Sequence, residues 1–225
     1  MDADEVRLLT QATEYFDYDT ESVSELAKQL RALSPQQTAV NIYYHVRDSY
    51  PYNPYGVVLG PQSLRASHCL EKGEGYCLPK AALMIALCRA NGIPARLGLA
   101  DVKNHLSSEK LIRLLRTEVF TMHGYASIFV EGRWLKATPT FNQSLCDKYK
   151  IKPLEFDGTK DAIFQEFTED GSKHMQYLTD FGCYNDVPVD FIFQNFHKHY
   201  PHLMQGFGVT TGLDSGPMEQ ESCAR

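Results

Sequence analysis

The stretch Gly73–Arg96, GEGYCLPKAALMIALCRANGIPAR, decides the fold. A short Gly-Glu-Gly-Tyr segment delivers a cysteine, Cys77, to the start of a dense apolar run. That run reads as a buried helix to about Ala90, where Asn91-Gly92 supplies a C-terminal stop. The residues that follow, IPARLGLADV, read as a strand. Pro79 disfavours helical geometry at Leu78, which moves the expected helix start to Pro79 and leaves Cys77 just outside it. Two roles are open to Cys77. A thiol at a helix start can act as a nucleophile, and cysteine is also a common packing residue.

Upstream, residues 5–33 carry helical spacing. It is weak at Val6, Leu9 and Thr13 and clearer at Val23, Leu26, Leu30 and Leu33, with Ser22 and Glu25 as the expected capping box. Ser34-Pro35 opens a further helix, QQTAVNIYYHVRDSY, and YPYNPYG is a turn-rich loop. Downstream, residues 107–116 predict a short amphipathic helix, followed by two strands and a loop-rich last third. The tail, residues 206–225, has little apolar content and is expected to be mobile. No internal repeat or low-complexity linker is visible. The expectation is one domain over residues 1–205, with its core at about 38–142.

The chain has 225 residues, a net charge of -6 and 43% hydrophobic residues. That is ordinary globular composition, able to fill a core. The absence of a basic stripe argues against nucleic acid as a partner. No apolar run approaches the roughly 18 residues of a membrane helix. The N-terminus, MDADEVRLLTQ, has no apolar signal core, and the expected location is cytoplasmic. The six cysteines, at 69, 77, 88, 146, 183 and 223, read as reduced thiols. There is no CxxC, and no metal or other cofactor is expected.

The segments TMHGYASIFV and RWLKATPT flank Glu131-Gly132 and read as a hairpin with a two-residue turn. Pairing Val130 with Arg133 sets Tyr125 against Thr138 and His123 against Thr140. One face then holds Met122, Ala126, Ile128, Val130, Leu135, Ala137 and Pro139, a core face. The other holds His123, Tyr125, Ser127, Phe129, Trp134, Lys136, Thr138 and Thr140, which reads as amphipathic and half-exposed. His123 then lies one diagonal, roughly 7–8 Å, from Thr138.

A histidine near Cys77 could form a thiolate–imidazolium pair and then donate its proton to a leaving group. Backbone N–H groups at the helix start could hold an oxyanion. Gly73 and Gly75 would let a backbone approach a substrate closely.

GEGYCLPKAALMIALCRANGIPARLGLA resembles the nucleophile segment of the transglutaminase-like superfamily: Gly-x-Cys, an Ala/Leu-rich helix, then Gly-Ile-Pro-Ala-Arg leading into a strand. HGYASIFVEGRWLKATPTFN resembles its histidine segment. The resemblance covers about residues 38–142, and PLEFDG, HMQYLTDFG and DVP further on resemble the C-terminal part of a bacterial-type subfamily. It implies a papain-like α+β fold, with N-terminal helices packed on an antiparallel sheet, and acyl transfer or amide hydrolysis through a cysteine thioester. The substrate would be a peptide, a protein or a small amide or thioester. It also implies Cys77 as nucleophile and His123 as general base and acid. The family's third member is an Asp in DPT. Here that place reads TPT, so Thr138 becomes the candidate third member, able to accept a hydrogen bond but not to supply charge. Asn142 could orient the ring instead, and Asp101 or Glu118 could bring a carboxylate. The departure leaves open a catalytically altered member that acts as a binding or scaffold protein.

The other residues carry blander readings. Tyr52 and Tyr76 are candidates for the oxyanion or substrate site, and Tyr52 also reads as a packed loop aromatic. Asp101 and His105 could line the cleft. Trp134 reads as core or cleft wall, and Arg96 as a structural salt bridge. His197, His199 and His202 read as a solvated surface rather than a metal site.

Overall fold

The computed structural model describes residues 1–55, 60–104, 108–164, 175–205 and 217–220. Its helices before the sheet are α1 (Ala3–Thr10), α2 (Glu21–Leu30), α3 (Pro35–Ser49), α4 (Ala66–Lys72) and α5 (Cys77–Ala90). Then follow β1 (Ala95–Asn104), α6 (Glu109–Leu115), β2 (Val119–Val130), β3 (Arg133–Ala137) and α7 (Gln143–Tyr149). The chain continues with β4 (Met175–Tyr184), α8 (Val189–His199) and α9 (Pro201–Met204). The four strands form one antiparallel sheet in the order β3-β2-β1-β4. This is an α+β architecture, with the N-terminal helices gathered around α5 and α5 laid on β2 and β1.

The position of α5 follows from its composition. A helix that is apolar all round must be covered all round, and every residue from Leu78 to Arg89 is buried. Helices α2, α3 and α4 cover it opposite the sheet. The helix starts at Cys77, not at Pro79. Proline is tolerated in a first turn because its missing N–H has no intrahelical acceptor there.

Two charged side chains are fully buried on α5, and both spend their protons on backbone carbonyls. Arg89 donates from Nε and Nη2 to Ala95 O at 2.9 and 2.7 Å, and reaches Gln11 O and Asn185 O at 3.0 and 2.7 Å. It thereby fastens α1, the start of β1 and the end of β4 to one helix. Lys80 donates from Nζ to Arg47 O, Tyr50 O and Thr140 O at 2.9, 2.6 and 2.9 Å. Burial pushes its pKa down to about 7. Three acceptors, however, need three N–H donors, and only the ammonium form has three.

The hairpin register holds from Val130↔Arg133 to Ala126↔Ala137. Glu131 and Gly132 both have positive φ, 51° and 79°, the mark of a type I′ turn, whose twist suits a two-residue hairpin. The expected pairs Tyr125 with Thr138 and His123 with Thr140 do not form, because β3 ends at Ala137. The Thr138 N–H goes instead to Ala162 O at 2.9 Å, and Pro139 has no N–H with which to resume a ladder. The face read as half-exposed is buried at His123, Tyr125, Ser127, Thr138 and Thr140. Phe164 and Tyr177, distant in sequence, cover part of it.

Three further expectations change. Ser22 lies inside α2, whose cap position is Thr20, and Glu25 pairs with Lys28 at 2.7 Å. Arg96 stacks its guanidinium 4.0 Å above the Trp134 ring, with no ion pair among the described residues. The last third contributes a sheet strand, β4, and the helices α7, α8 and α9. Most of the tail lies outside the described residues, but Met218 is buried, and its N–H donates to Tyr52 O at 3.1 Å.

Lys80→Met is expected to leave three buried carbonyls without donors. It should lower folding stability by more than about 3 kcal/mol, read from the denaturant midpoint. An unchanged midpoint would show that the three contacts contribute nothing net.

Candidate active site

The backbone places Cys77 in a tight frame. Residues 51–53 run parallel to the approach loop: Gly75 N–H donates to Pro51 O and Asn53 N–H to Gly75 O, both at 3.1 Å. A Cβ at Gly75 would stand 3.1 Å from Cys69 Sγ and 3.3 Å from both Lys80 Cγ and Pro79 Cγ. Gly73 has φ +69° and ends α4. The two glycines therefore serve a helix stop and close packing around Lys80.

On the other side, β2 lies directly on the first turn of α5. A Cβ at Gly124 would come within 2.8 Å of Leu78 Cδ2 and 3.2 Å of its Cα. Gly124 lies beyond the last β2–β3 pair, so that ladder does not use its N–H, whose influence lowers the Cys77 pKa. This N–H belongs to the peptide unit that joins His123 to Gly124. The structure thus sets the backbone of β2 at Gly124, the residue after His123, against the helix start that carries Cys77.

A β-bulge sets the phase of β2 just before His123. The β1–β2 register shifts between Ala100 and Val102, and Met122 adopts φ 58°. Two buried groups hold this unusual turn. Asp101 Oδ1 accepts from Thr121 Oγ1 at 2.6 Å and from Met122 N–H at 3.1 Å. The Tyr200 hydroxyl accepts from Thr121 N–H at 2.8 Å and donates to Val119 O at 3.0 Å. Asp101 thus braces the strand that carries His123.

The electrostatics of the pair are set by burial. Cys77 is partly exposed as a residue, yet burial pushes its thiol up to about 11 against the pull of the Gly124, Leu78 and Cys77 N–H groups. Burial also pushes His123 down to about 4. With the thiol above the imidazole, both are neutral near pH 7. Burial thus works against the thiolate expected from the helix start and an imidazolium.

The other candidates are placed as follows. Thr138 is buried, but its Oγ1 and His123 Nε2 both lack a hydrogen-bond partner, so no bond joins them. The Tyr177 hydroxyl approaches Thr138 without a well-formed bond, and Thr140 Oγ1 is also unpartnered. Asn142 is not aimed at the imidazole. Its Oδ1 accepts from Tyr52 N–H at 2.9 Å, and its Nδ2 donates to Ser144 Oγ and Glu219 Oε2, both at 2.8 Å. Glu118 pairs with Lys103 at 2.7 Å. Tyr52 and Tyr76 are buried beside Cys77, and burial raises both hydroxyl pKa values. Tyr52 also stacks edge-on against Phe141 at 4.9 Å. His105 lies outside the described residues. His202 Nε2 lies 2.7 Å from Leu114 O. Among the described residues no group of three His, Cys, Asp or Glu could hold a metal, and no helix is long and apolar enough to cross a membrane.

Lys80, Gly124, Tyr177 and Tyr200 were not singled out in the sequence. A charged residue inside an apolar helix was the visible signal for Lys80. The others join the site only through the bulge and the path of the C-terminal third.

Two solved structures are similar to part of this chain. A protein from Cytophaga hutchinsonii named "putative cysteine protease" is 20% identical, with a TM-score of 0.46, over 62% of this chain and 43% of its own. A "putative protease" from Parabacteroides distasonis is 17% identical, with a TM-score of 0.37, over 59% and 26%. This chain therefore spans less than half of either. No curated protein sequence matches it. The family model of the transglutaminase-like superfamily matches residues 24–139, more than half of the chain, and that span contains Cys77, His123 and Thr138. The chain belongs to the transglutaminase-like superfamily.

Proposed function

We propose that this chain is a cysteine-dependent enzyme that cleaves an amide or ester through a thioester on Cys77. The observation that supports this reading is the contact between β2 and α5, which packs Gly124, the residue after His123, on Leu78, the residue after Cys77. In the proposed step, neutral His123 takes the Sγ proton as the sulfur attacks the carbonyl carbon. The S–C bond forms, the C–N or C–O bond breaks, and the proton moves from His123 to the leaving atom. N–H groups at the first turn of α5 stabilise the developing oxyanion. Water or an amine then attacks the thioester, releasing an acid or an amide and restoring the thiol.

Asp101, Tyr200 and Asn142 act in this reading as positioning residues. The first two hold the bulge before His123, and Asn142 holds the loop at Tyr52. One observation favours a second reading, a binding protein that kept the fold: among the described residues no carboxylate engages His123 Nε2.

Incubation with p-nitrophenyl acetate, followed by intact mass measurement, separates the two readings. An acyl adduct that hydroxylamine removes is expected on Cys77. It should be lost in Cys77→Ala and formed at least about 100-fold more slowly in His123→Ala. Equal acylation of all cysteines, indifferent to His123, would favour the binding protein.

Thr138→Asp tests the third position. A carboxylate beside the imidazole favours its charged form, so the His123 pKa is expected to rise from about 4 by roughly one to three pH units. NMR titration of the histidine reads this directly. A value still near its wild-type position would mean that residue 138 does not face the ring.

A further inference from the structure

A pocket of about 80 Å³ opens beside Cys77. Its walls are Leu115 at the end of α6, Met122 of the bulge, Phe196 and Tyr200 from α8 and its end, and Leu203 and Met204 of α9. Phe196, Tyr200, Leu203 and Met204 lie beyond 24–139, outside the span shared with the family. Two polar groups at its edge are already engaged. Thr121 Oγ1 donates to Asp101, and the Tyr200 hydroxyl serves Thr121 and Val119. No charged residue is among the lining residues.

The structure assigns this pocket to the acyl portion of the substrate, and the group it takes is a short aliphatic chain of about three or four carbons. The assignment rests on the proposed role of Cys77. Three arguments lead to it. First, with Thr121 and Tyr200 engaged and Leu115, Met122, Phe196, Leu203 and Met204 forming most of the wall, the pocket favours an apolar group, and an unpaired polar group there would lose its solvation. Second, about 80 Å³ is roughly half the ~150 Å³ that encloses a benzene molecule. Third, His123 must reach the leaving atom, yet it does not line the pocket. The leaving group therefore points toward His123, and the acyl chain points between Met122 and α9.

The test compares p-nitrophenyl acetate, butyrate, octanoate and hemisuccinate as acylating agents for Cys77. Each rate is normalised to the rate with a small free thiol. Butyrate should exceed acetate by roughly fourfold per methylene, about 15-fold in all. Octanoate should gain nothing further, and hemisuccinate should fall below butyrate. Leu203→Trp, which narrows the pocket, should erase the butyrate advantage. Acetate and butyrate rates within about twofold of each other, or hemisuccinate as the fastest ester, would overturn the assignment.

Binding to the Cys77→Ser protein reads the pocket without the chemistry. Butyramide should shift the Met122 and Met204 methyl NMR signals, and succinamate should not. If no ester acylates Cys77 but butyramide binds, the proposed chemistry fails and the pocket assignment stands. If butyramide leaves both signals unmoved, the assignment fails whatever the thiol does.

Discussion

The ammonium of Lys80 is the point from which the site hangs. It is buried in the most apolar helix of the chain, and water cannot solvate it there. It must collect acceptors from whatever segments the fold brings near, and it finds Arg47 O and Tyr50 O at the end of α3 and Thr140 O after β3. Those segments continue into the walls of the site. Tyr50 leads to Tyr52, which bridges to Gly75 two residues before Cys77. Thr140 leads to Asn142, whose side chain accepts the Tyr52 N–H. One buried charge thus ties the Cys77 loop, the Tyr52 loop and the segment after β3 into a single frame. The face of α5 that carries Lys80 is one turn from the thiol.

The second constraint is what residue 138 withholds. A carboxylate there would favour an imidazolium and, through it, a thiolate. Threonine supplies no charge, and burial outweighs the backbone N–H groups at the thiol and acts alone at the imidazole, raising the first and lowering the second. In the proposed enzyme, proton transfer then accompanies attack instead of preceding it. Such a site holds its reactivity until a substrate arrives, and a resting thiol of this kind resists casual alkylation and oxidation.

Much of the frame was legible in the sequence because local chemistry fixes it. The apolar run after Cys77, its Asn-Gly stop and the Glu131-Gly132 turn each specify their own geometry. The expectation that Cys77 and His123 share one site was carried by the family resemblance, and the packing of Gly124 on Leu78 is compatible with it. The bulge at Met122 was not legible. A methionine at positive φ leaves no sequence mark, and its two supports come from Asp101 on β1 and from Tyr200 near the far end of the chain. The exposure of the His123 face was misjudged because its cover lies at Phe164 and Tyr177, and strand alternation says nothing about distant cover. β4 was hidden because two register shifts against β1 break its period-two pattern.

The central claim is that burial holds Cys77 and His123 as neutral groups at rest, with no charge from Thr138 to oppose it. The pH dependence of Cys77 alkylation by iodoacetamide tests it most directly, followed by mass spectrometry at that residue alone. A neutral thiol whose pKa lies at about 11 predicts a rate that climbs about tenfold per pH unit from pH 6 to 9, with no plateau. A rate that is already high at pH 6 and flat to pH 8 would reveal a preformed thiolate–imidazolium pair and contradict the account.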